Sequence, residues 1–268
     1  MARDTGTRKK TRPSFLCKKM SFTVPKGWEE LSQEQLRKML DLLYMFSDRP
    51  DGMIHAKMGA LLWFCNLEAV RHTPGGWLCR ENKTGKTFVL ADGLLPAMLD
   101  VLEWLEHPED MTVRLEEIDG CKAADLRLRS LPFGKYIQTE NYYQAYLQTQ
   151  DAGKLVMMAR QLYDVPMGKT LNPEPAELLG VLFWFMAVKK YYASVFNHFL
   201  KPVSEGQDAG TQQSQLEMTN AMIRLLSKGD VTKVNDIYKV DTWLALTELD
   251  ALAKESEEFK TKYGKQHV

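Results

Sequence analysis

The chain has 268 residues, 44% of them hydrophobic and 26% charged, which is the balance of an ordinary folded protein. Its 35 lysines and arginines offset 35 aspartates and glutamates, so the net charge is zero. That neutrality speaks against a chain devoted to nucleic acid or anionic membranes, and the length buries enough apolar surface to need no disulfide or metal staple.

Residues 1–20 carry Arg3, Arg8, Lys9, Lys10, Arg12, Lys18 and Lys19 against a single Asp4, without apolar periodicity. They read as a basic disordered tail. The alternative is an arm whose Arg8, Lys9, Lys10 and Arg12 contact nucleic-acid phosphates. The start lacks the apolar core of a signal peptide, so Cys17, Cys65, Cys79 and Cys121 are expected as free thiols in a reducing cytoplasm.

A main domain is expected over 21–201. Ser32 and Gln35 form a capping-box pattern, and Leu36, Met39, Leu40 and Leu43 give the helix behind it one apolar face. A second helix fits 53–70 and ends before TPGG. WLCRENKTGKTFVL, residues 77–90, alternates around a polar glycine-bearing turn and predicts a hairpin. A third helix is expected over 93–106, with Leu95, Met98, Leu99, Leu102 and Leu105 on one side. TVRLEEIDG predicts a short strand, and KAADLRLRSLPFG is ambiguous.

From Lys135 the pattern is helical. KYIQTENYYQAYLQTQ and AGKLVMMARQLYDV are two helices linked tightly at Asp151, with Tyr136, Tyr143, Tyr146 and Leu147 facing a core. GVLFWFMAVKKYYASVFNHFL, residues 180–200, is the most apolar stretch. Its unbroken apolar run is only Val181 to Val188, and Lys189 and Lys190 fall mid-segment, where charge in hydrocarbon is costly. It is therefore expected as a core helix, or as a partner groove, rather than a membrane span. NPEPAE before it marks the start, with prolines in the first turn. Leu182, Phe185, Val188, Tyr192, Val195 and Phe199 recur at helical spacing.

A polar linker is expected over 202–214 and a helical C-terminal segment over 215–268. LEMTNAMIRLLSKG is a helix closed by Gly229, and a last helix runs from Asp241 or Thr242 toward Gly264. On that last helix Trp243, Leu246, Leu249 and Leu252 form an apolar stripe. The stripe either folds back on its own domain or docks in a partner's groove. The whole reads as a mainly α fold, α+β with a minor hairpin or small sheet near residues 77–130.

Chemical motifs are few. TGKT at 84–87 lacks the first glycine of a phosphate loop, since Arg80 stands there, and no helix follows. Cys65, His72 and Cys79 lack the close cysteine pairs of a structural zinc site. No cofactor, metal or catalytic residue is expected.

VPKGWEELSQEQL, GWLCRENKTGKTF, LPFGKYIQTENYYQAYLQTQ and KGDVTKVNDIYKVDTWLALTELDALAKE together resemble a group of uncharacterised bacterial proteins carried in prophages and mobile elements of gut anaerobes. The resemblance runs from Phe22 onward. It implies a setting similar to that of phage structural or tail-assembly-module proteins, and it supplies no catalytic residues. The expectation is a non-enzymatic phage or prophage protein acting through protein contacts, as a tail-assembly factor or chaperone. Its partner would be a phage structural protein or a second copy of itself, without a membrane. It would be cytoplasmic in the bacterial host or virion-associated. The alternative is a nucleic-acid-binding accessory protein using the basic tail.

Overall fold

Ser32 accepts a hydrogen bond from Gln35 N, and the Gln35 side chain accepts one from Ser32 N, which closes the capping box of α1 (Gln33–Phe46). The four residues expected on its apolar face, Leu36, Met39, Leu40 and Leu43, are all buried. The structure, a computed structural model, describes residues 22–200 and 212–263. The basic residues Arg8, Lys9, Lys10 and Arg12 lie outside the described residues.

α2 (Gly52–Phe64) is shorter than expected. Asn66 takes a left-handed backbone, φ 54°, and the chain turns into β1 (Leu67–Thr73). TPGG is thus the turn of a first hairpin rather than a stop after a helix. β1, β2 (Gly76–Glu81) and β3 (Thr87–Leu90) form an antiparallel sheet in that order, with a bulge between Ala69 and Arg71. The TGKT stretch is the turn joining β2 to β3, as its spacing predicts. The expected third helix is only α3 (Leu95–Asp100), flanked by 3-10 turns. Its later leucines still reach the core, with Leu102 and Leu105 buried. TVRLEEIDG contributes just β4 (Glu117–Ile118), which pairs with β5 (Cys121–Lys122) around Asp119 and Gly120, both at positive φ.

α4 (Phe133–Thr149) and α5 (Ala152–Leu162) are joined by left-handed Gln150 and by Asp151, which caps α5 by accepting from Gly153 N. Tyr136 is buried and Tyr143 and Tyr146 are half-buried, but Leu147 is exposed, one step too far round the helix. α6 (Pro175–Val195) starts with Pro175 at its first position and a Glu174–Glu177 capping box. It is long and apolar enough to span a bilayer by length and composition, yet here it is the helix on which α1 and α5 pack. Gly180 lets α1 approach closely: a Cβ there would lie 2.7 Å from Leu40 Cδ1. Leu182, Phe185, Val188 and Tyr192 are buried, whereas Val195, at the helix end, is exposed. Both mid-helix lysines meet carboxylates, Lys189 pairing with Glu140 and Lys190 with Asp110.

Residues 202–211 of the expected linker lie outside the described residues, while Gln212–Ser214 already belong to α7 (Gln212–Ser227). Lys228 and Gly229 then take left-handed conformations, and Gly229 N donates to Arg224 O, a Schellman-like close. α8 (Val234–Ile237) leads to α9 (Thr242–Tyr263).

The C-terminal segment is not a separate appendage. One hydrophobic cluster runs from Trp28 to Leu249 and includes Ile223, Ala245 and Leu246. Backbone bonds sew the junction: Phe133 N to Val240 O, Gly134 N to Tyr238 O and Thr242 N to Leu131 O.

Burial also sets an alkaline limit. Desolvation pushes the Cys65 thiol from 9.0 up to about 11 and raises the Tyr136, Tyr163 and Tyr192 hydroxyls above their usual 10.0. Each group binds its proton more tightly folded than unfolded. Its contribution is complete below the unfolded value and is lost as pH climbs toward the folded one. The denaturant midpoint is therefore expected to fall as pH rises from 9.0 toward about 11, with tyrosinate absorbance of these side chains appearing only on unfolding. A flat midpoint across that range would contradict the burial.

Candidate protein-docking site

The stripe expected to meet a partner is used internally. Leu246 and Leu249 are each 1% exposed, and Leu252 is half-buried. Trp243 packs on α6: its ring lies 5.0 Å from Phe196 and 6.2 Å from Tyr191, nearly parallel to the latter at 23°. The physical reason is the backbone pairing of residues 238–242 with residues 131–134, which fixes the start of α9 beside the start of α4 and turns its stripe inward. Beyond Ala253, α9 is mostly exposed, and His198 Nδ1 lies 2.9 Å from Glu257.

The α6 helix is less completely covered. Two irregular segments cross its outer face, residues 111–112 and a strap over 123–132. Between them lies a cavity of about 120 Å³. Met111 and Thr112 form one wall, Leu126 and Arg127 the other, and Trp184, Ala187, Val188 and Tyr191 of α6 the floor. The lining is chiefly apolar, and the volume approaches that of cavities that accept a benzene-sized guest.

The strap is held by side chains that donate to its carbonyls. Trp184 Nε1 donates to Leu126 O at 2.8 Å, Tyr192 Oη to Arg127 O at 2.5 Å and Thr242 Oγ1 to Leu131 O at 2.6 Å. Burial first, then the charges of Asp241 and Asp125 and the neighbouring Tyr191, raise the Tyr192 hydroxyl, with Arg129 opposing, so it stays a neutral donor. Asp125 Oδ1 accepts from Arg127 N at 3.1 Å and Arg129 N at 3.2 Å. Leu128, between the two arginines, is fully buried at φ 52°, a conformation costly for a leucine and held here by everything around it.

That geometry throws both arginines outward. The Arg127 guanidinium lies 4.5 Å over the Tyr191 ring and donates to Tyr191 Oη at 3.1 Å. The Arg129 guanidinium lies 4.6 Å over Trp243. A guanidinium lying over a ring keeps N–H groups along its edge for a planar acceptor.

No protein-family model, curated protein or solved structure matches this chain. The site is read from its own chemistry. The slot is chiefly apolar, and its polar lining groups are those of Thr112, Arg127 and Tyr191.

Nearby groups are already engaged. His107, Glu109 and Asp110 offer ligand atoms within 4.8 Å of one another, but Lys190 pairs with Asp110 and stands 3.9 Å from Glu109. His72 packs on Trp77 and bonds Asp92 at 3.1 Å, while the Cys65 and Cys79 thiols are buried. The slot itself has no sequence signature. Its walls come from irregular segments at 111–112 and 126–127 and its floor from a helix much further along the chain, and only the Leu-Arg-Leu-Arg alternation of the strap hints at side chains sent to opposite sides.

Proposed function

We propose that this protein acts through protein contacts, by seating an apolar side chain of another chain in the slot on α6. The observation that carries the reading is the slot itself, an apolar cavity of about 120 Å³ on the helix that sends Val181, Trp184, Phe185 and Tyr192 into the core. Trp184 and Val188 of its floor are buried in the core, which leaves little of the slot to be ordered on binding. The setting we propose is that of the resemblance in wording: an assembly factor or chaperone of a phage or prophage, for which the transient capture of apolar surface is a fitting task.

Ala187→Leu tests the reading by filling the slot from its floor. The added side chain enters open apolar space rather than a packed core, so folding stability is expected to stay within about 1 kcal/mol of the parent. Thermal melting checks that. Affinity capture of the tagged parent and of Ala187→Leu, from cells carrying an induced element and with nuclease treatment, checks the function. A protein partner retained by the parent and lost by the variant supports the reading. Equal capture by both removes the slot from the account, and nucleic acid found before digestion, with protein partners lost on digestion, transfers the function to the basic tail.

A further inference from the structure

The slot does not stand alone. Arg127 both walls it and lies over Tyr191, and Arg129 lies over the neighbouring Trp243. Many cations of this chain are paired with carboxylates: Arg37 with Glu177, Lys57 with Glu106, Lys189 with Glu140 and Lys190 with Asp110. Arg127 and Arg129 are different. Their guanidinium groups meet aromatic rings and a tyrosine hydroxyl, and neither makes an ion pair among the described residues. Two carboxylates whose charges reach the neighbouring Tyr192, those of Asp125 and Asp241, each bond backbone N–H groups through one oxygen. Asp125 Oδ1 accepts from two strap N–H groups, and Asp241 Oδ1 accepts from Leu244 N at 3.1 Å.

Two guanidinium groups, lying over rings and in no ion pair among the described residues, therefore stand beside an apolar slot. An aliphatic side chain without charge would use the slot and ignore the rim. An anion without an apolar group would do the reverse. Resting on the docking reading above, we propose that the slot takes a leucine or methionine side chain from an extended acidic segment of a partner protein. A carboxylate of that segment is held by the free edge of Arg127, and Arg129 meets another. Charge complementarity selects this occupant over a neutral peptide: a fork of parallel N–H donors matches the two oxygens of a carboxylate.

The test uses full-length protein and short labelled synthetic peptides followed by fluorescence anisotropy. The probe has one leucine set among aspartates and glutamates. One control replaces that leucine by serine, and another replaces the acids by their amides. Saturable binding of the probe is expected, with both controls weakened by roughly tenfold or more. Added salt should weaken the probe, because the rim is solvent-facing. Arg127→Glu should weaken it most and Arg127→Gln less, each with an unchanged melting temperature. Ala187→Leu should abolish it. Equal binding of the amide peptide, or no saturable binding, overturns the proposal. So does sedimentation showing a dimer that Ala187→Leu dissociates, because the occupant is then a second copy. A captured partner lost on Ala187→Leu but indifferent to Arg127→Glu sinks the acidic occupant and leaves the docking reading standing. Capture indifferent to both sinks the docking reading itself.

Discussion

Leu246→Ala is expected to destabilise the protein by about 2–5 kcal/mol, the range for truncating a large aliphatic side chain in a packed interior. Leu246 is 1% exposed and belongs to the same hydrophobic cluster as α6. One turn earlier on the same helix, Trp243 packs against Tyr191, Tyr192 and Phe196. A shift of the denaturant midpoint with an unchanged slope would be the readout. An α9 stripe held free for a partner predicts something else: a surface substitution costing less than about 0.5 kcal/mol. Leu244→Ala provides the control on the same helix, since Leu244 is 62% exposed and should fall in that small range.

Trp184→Ala carries the other large effect, about 3–5 kcal/mol. Trp184 is 1% exposed, sits edge-on to Tyr163 and forms part of the slot floor. Its loss would open the slot into the core and free the strap from one of its donors. Trp184→Phe separates the two contributions. Much of the ring volume remains, but the Leu126 carbonyl loses the 2.8 Å bond from Nε1, which costs about 1–3 kcal/mol if that oxygen is left dry. If Trp184→Phe were neutral, the strap would not depend on that bond. Equal losses for Phe and Ala would mean that the hydrogen bond, rather than the packing, dominates.

These two helices also show what a sequence makes legible. α1, α4, α5, α6 and α9 were readable because each pairs a periodic apolar face with a chemical start or stop. Ser32 with Gln35 opens α1, Asp151 opens α5, and Pro175 behind Glu174 opens α6. α2 misled because it is apolar on nearly every side, so its pattern ran on without a visible end into β1. The stop was Asn66 adopting a left-handed backbone, which asparagine tolerates and which composition alone does not announce. α3 fell short because its leucines serve 3-10 turns as well as a helix, and a spacing of three suits both.

The site was less legible than the fold, for a different reason. The aromatic and aliphatic residues of its floor repeat at helical spacing and say only that α6 is buried. Whether a buried helix is fully roofed depends on loops, and loops carry no periodicity. Met111 and Leu126 meet across the slot through the path of two irregular segments. The stripe Trp243, Leu246 and Leu249 was legible as apolar, but the side it faces was not. Sequence leaves a fold-back and a partner groove equivalent, and only the bonds between Leu131–Gly134 and Tyr238–Thr242 decide between them.

The central claim is that the open face of α6 is a docking surface. The most direct measurement is the dissociation constant of a purified captured partner for the parent protein and for Ala187→Leu, with melting curves taken on the same samples. The account predicts a loss of at least about tenfold in affinity, the scale of one displaced aliphatic anchor, with melting unchanged. The same affinity in both proteins would contradict it, and the slot would then be a packing defect of the fold.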